Sequence, residues 1–280
     1  MNESGVNRIA AAPTLSRAAS GEFDRCASLL RQRSGIVLGE HKRDMMGRIL
    51  QARANAAGLD SIEAYLDLLE RHPGAHEWEH FINAFTINHT AFFRESHHFE
   101  MLDSFVRSRR APVSVWCCAA STGEEAYTVA MVLAQAGHTA DKGARVWATD
   151  IDTDAIARAR NGIYGLDRVR PVPQECLKTY FQRGTGKYSG MARVKPELRA
   201  MVELEALNLL DPVWPVQGKF DAIFCRNVMI YFDKETQSDI LERLSRMMKP
   251  DGLLFAGHSE NFTYLTKAFR LRGKTVYVRP

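Results

Sequence analysis

The chain has 280 residues, 45% of them hydrophobic and 25% charged, enough apolar material for one large folded core or two modest ones. A net charge of +4 is compatible with an acidic partner but too weak to argue for nucleic-acid binding. The longest apolar runs, such as AIFC and GLLFAG, are strand-sized, and the N-terminus lacks an apolar signal core, so neither a membrane span nor export is expected and the chain reads as cytoplasmic.

Residues 1–21 are rich in Ala and Ser without a sustained hydrophobic period, and a disordered leader is expected there. Residues 22–96 read as a helical domain. Phe23, Cys26, Leu29 and Leu30 share one helix face, Asp60 and Glu63 fit a capping box ahead of Tyr65, Leu66 and Leu69, Pro73 stops that helix, and Trp78, Phe81, Ile82 and Phe85 form another apolar stripe. Residues 97–112 read as a linker. The stretch INHTAFFRESHHFE, residues 87–100, combines Asn88, Thr90 and Arg94 with Phe92 and Phe93. Its plain reading is core phenylalanines and a surface ion pair of Arg94 with Glu95. His97 and His98 are adjacent, would splay apart on a helix, and receive no role.

From residue 113 strands and helices alternate: VSVWCCA, then EEAYTVAMVLAQAG, ARVWATDID and TDAIARARNGIYG. That βαβ order predicts a parallel sheet covered by helices on both faces. Between about residues 178 and 204, three short strand-like runs separated by glycine-rich turns predict a small antiparallel β insertion. FDAIFCRNVMIYF, a helix through KETQSDILERLSRMMKPDG, the strand GLLFAGH and RLRGKTVYVRP complete the chain. Cys26, Cys117, Cys118, Cys176 and Cys225 form no CxxC pair and no zinc-like spacing with histidine, so they read as reduced thiols and no metal is expected. Cys117 and Cys118 face opposite sides of their strand.

Ligands of open α/β sheets bind beyond the carboxyl ends of the strands, and three such ends carry polar groups. The first is the turn in WCCAASTGEEAYT, where Gly123 permits close backbone approach. Such a turn usually takes phosphate, but Glu124 and Glu125 would repel an anion, so the expected ligand is neutral or cationic at this edge. The second is Asp150, about 30 residues on, where a ribose-binding acid is expected. The third is Asn227, which breaks an apolar run that otherwise reads as a buried strand. A nucleoside fits all three. Each has a plain alternative: Asp150 or Asp152 caps the next helix, the glutamates complement a helix N-terminus, and Asn227 closes a turn.

NHTAFFRE, VWCCAASTGEEAYT, ATDIDTDAIARARNGIY, YFQRGTG, FDAIFCRNVMIYFDKETQ and MKPDGLLFAGHSEN resemble, in order and spacing, the bacterial chemotaxis receptor methyltransferase family, CheR, from about residue 22 to the C-terminus. The resemblance implies an α/β class I, Rossmann-like S-adenosylmethionine-dependent methyltransferase domain with the β insertion, preceded by an all-α N-terminal domain. It also implies methyl esterification of glutamates on the cytoplasmic signalling helices of chemoreceptors, with S-adenosylhomocysteine as product. By position it makes Asn88, Thr90, Arg94, Glu125, Asp150, Asn208, Leu209, Asn227 and Val228 the cofactor shell, and Arg94 and Tyr231 the catalytic centre. Lys42, Arg43, Arg48 and Arg53 would meet the acidic receptor helices, and Arg183, Gly184, Gly190 and Arg193 of the insertion a receptor C-terminal pentapeptide. A monomer is implied that meets the membrane only through receptors. Two departures stand out: Ala119, Ala120 and Ser121 precede a single Gly123, and Ala126 replaces a proline often found after the two acids.

Overall fold

The structure, a computed structural model, describes residues 20–216 and 218–280. The expected leader lies outside the described residues except for its last two, which begin the first helix. Two compact units form: one through Leu29 with Leu38–Phe81, the other of Leu30–Val37 with Ile82–Pro280. The first helix, α1 (Ser20–Ser34), contributes to both.

In the first unit, α2 (Arg43–Ala56) and α3 (Ile62–Arg71) pack with the start of α4 (Glu77–Phe85). The apolar stripes read from the sequence supply much of its core: Cys26, Tyr65, Leu66, Leu69 and Phe81 are buried, and Leu50 of α2 joins them. The cap of α3 is Ser61, one residue later than expected, and its side chain accepts from the Ala64 N–H at 3.1 Å. Glu77 is held by Arg53 at 2.6 Å and by the Tyr65 hydroxyl at 2.6 Å.

In the second unit, α5 (His97–Arg107) forms where the sequence predicts a linker. Phe99, Leu102 and Val106 recur at helical spacing and are buried in the core, and Phe99 stacks on Phe224 with ring centroids 5.8 Å apart. His97 and His98 do not splay apart either; their rings meet at 4.2 Å. The chain continues through β1 (Ser114–Cys117), α6 (Glu124–Gln135), β2 (Arg145–Asp150), α7 (Thr153–Asn161), β3 (Ile163–Gly165), α8 (Gln174–Tyr180), β4 (Phe181–Arg183), β5 (Met191–Val194), α9 (Pro196–Arg199), β6 (Val202–Ala206), β7 (Phe220–Cys225), α10 (Lys234–Met247), β8 (Met248–Ala256), β9 (Arg270–Gly273) and β10 (Val276–Val278).

Seven strands form one sheet in the order β6-β2-β1-β7-β8-β10-β9. Its first five members are parallel, while β10 and β9 add antiparallel pairings. The two faces carry separate cores. Val115, Cys117, Val146 and Phe224 face α5, α6 and α7, whereas Trp116, Cys118, Ile223 and Leu254 face α10. Strand alternation therefore puts the adjacent cysteines in different cores. From β1 the chain moves outward through β2 and β6, then returns to β7 on the other side, so the switch point lies between β1 and β7.

The small antiparallel sheet has the order β3-β5-β4. It starts earlier than expected, at Ile163, and the third run of the expected insertion is β6, which pairs parallel with β2. The reason is positional. β6 is the edge of the large sheet and only Leu204 is buried in it, so its partial alternation imitates a solvent-facing hairpin strand.

Candidate functional site

A cleft enclosing about 980 Å³, counted out into the open solvent at its mouth, lies at the carboxyl ends of β1, β2 and β7. Asn88, Thr90, Arg94, Glu125, Asp150, Asn208, Leu209, Asn227, Val228 and Tyr231 all line it. The receptor-directed candidates lie elsewhere: Arg183 ends β4, Arg193 is in β5, Gly184 and Gly190 belong to their connection, and Lys42, Arg43, Arg48 and Arg53 belong to the helical unit. The structure also adds Ser34, Ile36, Ser121, Phe232 and Arg226 to the lining.

The turn after β1 holds its shape through two acids at the end of β2. Asp150 accepts from the Ser121 N–H at 2.7 Å and the Asp152 N–H at 2.9 Å. Burial pushes the Asp150 carboxyl up to about 6, against those N–H bonds, which favour the charged form. Asp152, not Asp150, caps α7, accepting from the Ala155 N–H at 2.9 Å. Asp152 also accepts from the Thr86 hydroxyl at 2.6 Å and the Asn88 amide at 2.7 Å. Asn88 in turn accepts from the Ser121 hydroxyl at 2.6 Å. The segment ahead of the sheet is thereby tied to both strand ends.

Gly123 has a different role from the one expected. It adopts φ +94°, and a Cβ there would lie 2.8 Å from the Ala159 Cβ and 3.0 Å from the Tyr164 hydroxyl. Close packing of α6 against α7 and β3 requires the glycine. The two glutamates that follow also separate. Glu124 is buried in an ion pair with Arg168 and accepts from the Thr122 hydroxyl at 2.7 Å. Only Glu125 lines the cleft, so the acidity expected of this edge is carried there by one carboxylate.

Arg226 organises the floor. Its side chain is 1% exposed, and its Nη1 lies 2.8 Å from Glu125 while its Nη2 lies 3.1 Å from Glu95. Nη2 also donates to the Arg94 carbonyl at 2.6 Å. The Glu95 contact has ion-pair distance without hydrogen-bond alignment, so Glu95 Oε2 has no hydrogen-bond partner, and Arg226 Nε has none among the described residues. Burial raises the Glu125 carboxyl even with Arg226 beside it. At Glu95 burial acts the same way, but the guanidinium outweighs it and holds the carboxyl below its ordinary range. His98, fully buried, has its imidazolium form disfavoured by burial and by Arg226, down to about 4. The signal for Arg226 was present in the sequence as an arginine directly after a buried run, a position that demands carboxylate partners.

At the mouth, Arg94 donates to the His89 carbonyl at 2.5 Å and, among the described residues, forms no salt bridge. Tyr231 is half-buried at the end of a 3-10 turn, Met229–Tyr231, and its carbonyl accepts from the Val37 N–H at 2.9 Å. Burial raises the Tyr231 phenol, while the charge of Arg94 lowers it. Asn208 has a supporting role in addition to lining the cleft: its amide donates to the Arg33 carbonyl at 2.6 Å, anchoring the segment that brings Ser34 and Ile36 to the site.

The description "CheR methyltransferase, SAM binding domain" matches residues 88–278, and "CheR methyltransferase, all-alpha domain" matches residues 21–86. The chain is 52% identical over 255 residues to the chemotaxis protein methyltransferase of Salmonella typhimurium, covering 91% of this chain and 88% of that one. For the chemotaxis protein methyltransferase of Escherichia coli the identity is 51% over 255 residues, covering 91% and 89%. For chemotaxis protein methyltransferase 2 of Pseudomonas aeruginosa it is 44% over 259 residues, covering 91% and 92%. With both of its domains matched and relatives aligned over nine-tenths of its length, the chain belongs to the CheR family and is an S-adenosylmethionine-dependent methyltransferase.

Proposed function

We propose that this enzyme methylates glutamate side chains of chemoreceptors, forming methyl esters for adaptation in bacterial chemotaxis. The observation that carries the reading is Arg94 without a carboxylate partner among the described residues, at the mouth of the cleft beside Tyr231. The lining fits the cofactor: two carboxylates, Glu125 and Asp150, stand with the amides of Asn88 and Asn227, a set rich in acceptors that suits ribose hydroxyls and an ammonium rather than a pyrophosphate. When bound, S-adenosylmethionine supplies a methyl group activated by a positively charged sulfur.

The residues then have positional tasks. A glutamate side chain, with a reference pKa near ~4.3, is already ionised at neutral pH and needs no general base. Arg94 orients the incoming carboxylate, and Tyr231 packs beside its path. Ile36, Ile87 and Phe232 in the same lining limit water, which favours a reaction in which opposite charges cancel. Incubation with labelled cofactor and receptor membranes tests the reading: base-labile incorporation is expected, and its absence from folded, cofactor-bound enzyme would overturn it.

Asp150 makes cofactor binding pH-dependent. Because its carboxyl sits at about 6 in the folded protein, lowering the pH through that value protonates it and removes the stronger acceptor for ribose hydroxyls. Affinity is expected to fall by about tenfold from one unit above to one unit below. Calorimetric titration across this range checks it, and Asp150→Asn should bind weakly with little of that pH dependence.

The receptor contacts belong to the same proposal. β4 is an edge of the small sheet, with Arg183 exposed on it and Arg193 exposed on its neighbour β5. An acidic C-terminal pentapeptide can add there as a strand, its carboxylates meeting the arginines, with Gly184 and Gly190 shaping the turn. In the helical unit Arg53 is held by Glu77 and Arg43 by Glu40, so Arg48, exposed, and Lys42 remain the better candidates for receptor helices. Arg183→Ala/Arg193→Ala is expected to weaken pentapeptide binding in calorimetry by about tenfold or more with cofactor affinity intact. Arg48→Glu should raise the receptor KM without altering peptide binding. Equal peptide binding by the double variant would remove the tail assignment. On this reading the enzyme works on the cytoplasmic helices of receptors; among the described residues no helix is long and apolar enough to cross a membrane.

A further inference from the structure

Four backbone N–H groups converge on one buried carboxylate just behind the cleft. Glu260 is 4% exposed. Its Oε2 accepts from the N–H groups of Asn227 at 2.9 Å and Gly257 at 2.6 Å. Its Oε1 accepts from those of Val228 at 3.0 Å and Met229 at 2.8 Å. Three successive N–H groups after a strand form a concavity that attracts anions, and here the fold fills it from within. Burial raises the Glu260 carboxyl and the four N–H groups oppose that rise.

The turn so gripped is the one that faces the cofactor cleft. Asn227 has φ +58°, an uncommon conformation for a residue other than glycine, which persists where its surroundings enforce it. Glycine at 257 is part of that enforcement, because a Cβ there would lie 2.4 Å from the Asn227 Nδ2. Asn227 and Val228 line the cleft, and the Tyr231 N–H donates to the Val228 carbonyl at 3.1 Å. A shift of residues 227–229 therefore moves Tyr231 with them.

We infer that Glu260 is a positioning residue for methyl transfer: without lining the cleft, its carboxylate sets the turn that presents Asn227 and Tyr231. The inference rests on the proposed roles of those two residues. A glutamine at 260 keeps the shape but turns one oxygen into an N–H donor, so two of the four backbone donors face another donor. The turn then relaxes away from its working position.

The test compares Glu260→Gln with wild type as full chains, at a temperature where circular dichroism shows both folded. Displacement of about an ångström at a reacting centre is costly, so kcat is expected to fall by about tenfold or more and cofactor affinity by about tenfold, with the receptor KM unchanged. A purely structural Glu260 would lower the thermal midpoint while leaving kcat and cofactor affinity per folded molecule at wild-type values, and that result overturns the inference. If Glu260→Gln does not fold, Glu260→Asp decides, since it keeps the charge but is too short to hold all four N–H groups in place; the same loss supports the inference and wild-type kinetics overturn it. Wild type in the same assay separates the two readings. An inactive wild type counts against receptor methylation itself, whereas an active wild type with an unaffected variant counts against Glu260 alone.

Discussion

Replacing Arg94 by alanine is expected to lower the single-turnover rate of methyl transfer by ~10²-fold or more at saturating cofactor. Arg94 stands at the mouth of the cleft without a salt-bridge partner among the described residues, so its guanidinium is available to a carboxylate entering from outside. A planar fork with several donors fixes both the position and the plane of that carboxylate, which a point charge does less well. Arg94→Lys should therefore recover only part of the loss. The measurement is rapid mixing of the preformed cofactor complex with receptor membranes. The affinity for cofactor also drops moderately, because Arg94 ties the 89–94 segment together through the His89 carbonyl. A rate within about twofold of wild type, well short of the expected ~10²-fold loss, would show that another group orients the acceptor.

The second large effect belongs to Arg226. Substitution by methionine leaves Glu125 and Glu95, 12% and 15% exposed, beside each other without their shared guanidinium, and strips the Arg94 carbonyl of a donor. Removing one partner of a buried ion pair typically costs about 3–5 kcal/mol, because the remaining charge stays desolvated and uncompensated. Urea denaturation should show a loss of that order at pH 7, with cofactor binding weakened in the protein that remains folded. Neutralising the orphaned acids in the same chain, as Glu125→Gln/Glu95→Gln, should restore much of the stability but not the cofactor affinity, since Glu125 lines the cleft. A stability loss of about 1 kcal/mol or less for Arg226→Met would mean that water reaches the acids and the site is less dry than its burial implies.

Both predictions depend on contacts that differ in how far they can be read from sequence. The parallel sheet follows from local patterns: apolar runs such as AIFC and ARVWA are bounded by turn residues and alternate with helical periods. Asp150 and Asn227 were legible because a polar residue at the end of such a run is placed by the strand itself. The motif NHTAFFRE marked its own segment, but the tie from Asn88 to Ser121 and Asp152 spans 33 and 64 positions, and no local period encodes a partner that far away.

Misreadings arose where one local pattern has two tertiary uses. The run at β6 alternates like a hairpin strand because it is an edge of the large sheet, and α5 reads as a linker because its apolar positions are separated by charged and polar ones. Gly123 looked like a ligand-binding glycine, yet what demands it is the Ala159 and Tyr164 packing on its other side. Glu124 and Glu125 are neighbours in sequence, but successive helical positions point about 100° apart, sending one to Arg168 and the other to the cleft.

By itself, then, the sequence determined the alternation of strands and helices, the helical stripes ahead of them, and the strand ends at which polar groups collect. These follow from periodicity and from the geometry of a single element. Only the tertiary structure decided how the charges are distributed: Arg226 between Glu125 and Glu95, Asp152 as the cap that leaves Asp150 to the cleft, and Glu260 against four backbone donors. A buried charge takes its state from whichever partners folding brings within hydrogen-bond distance, and those partners come from elements far apart in the chain.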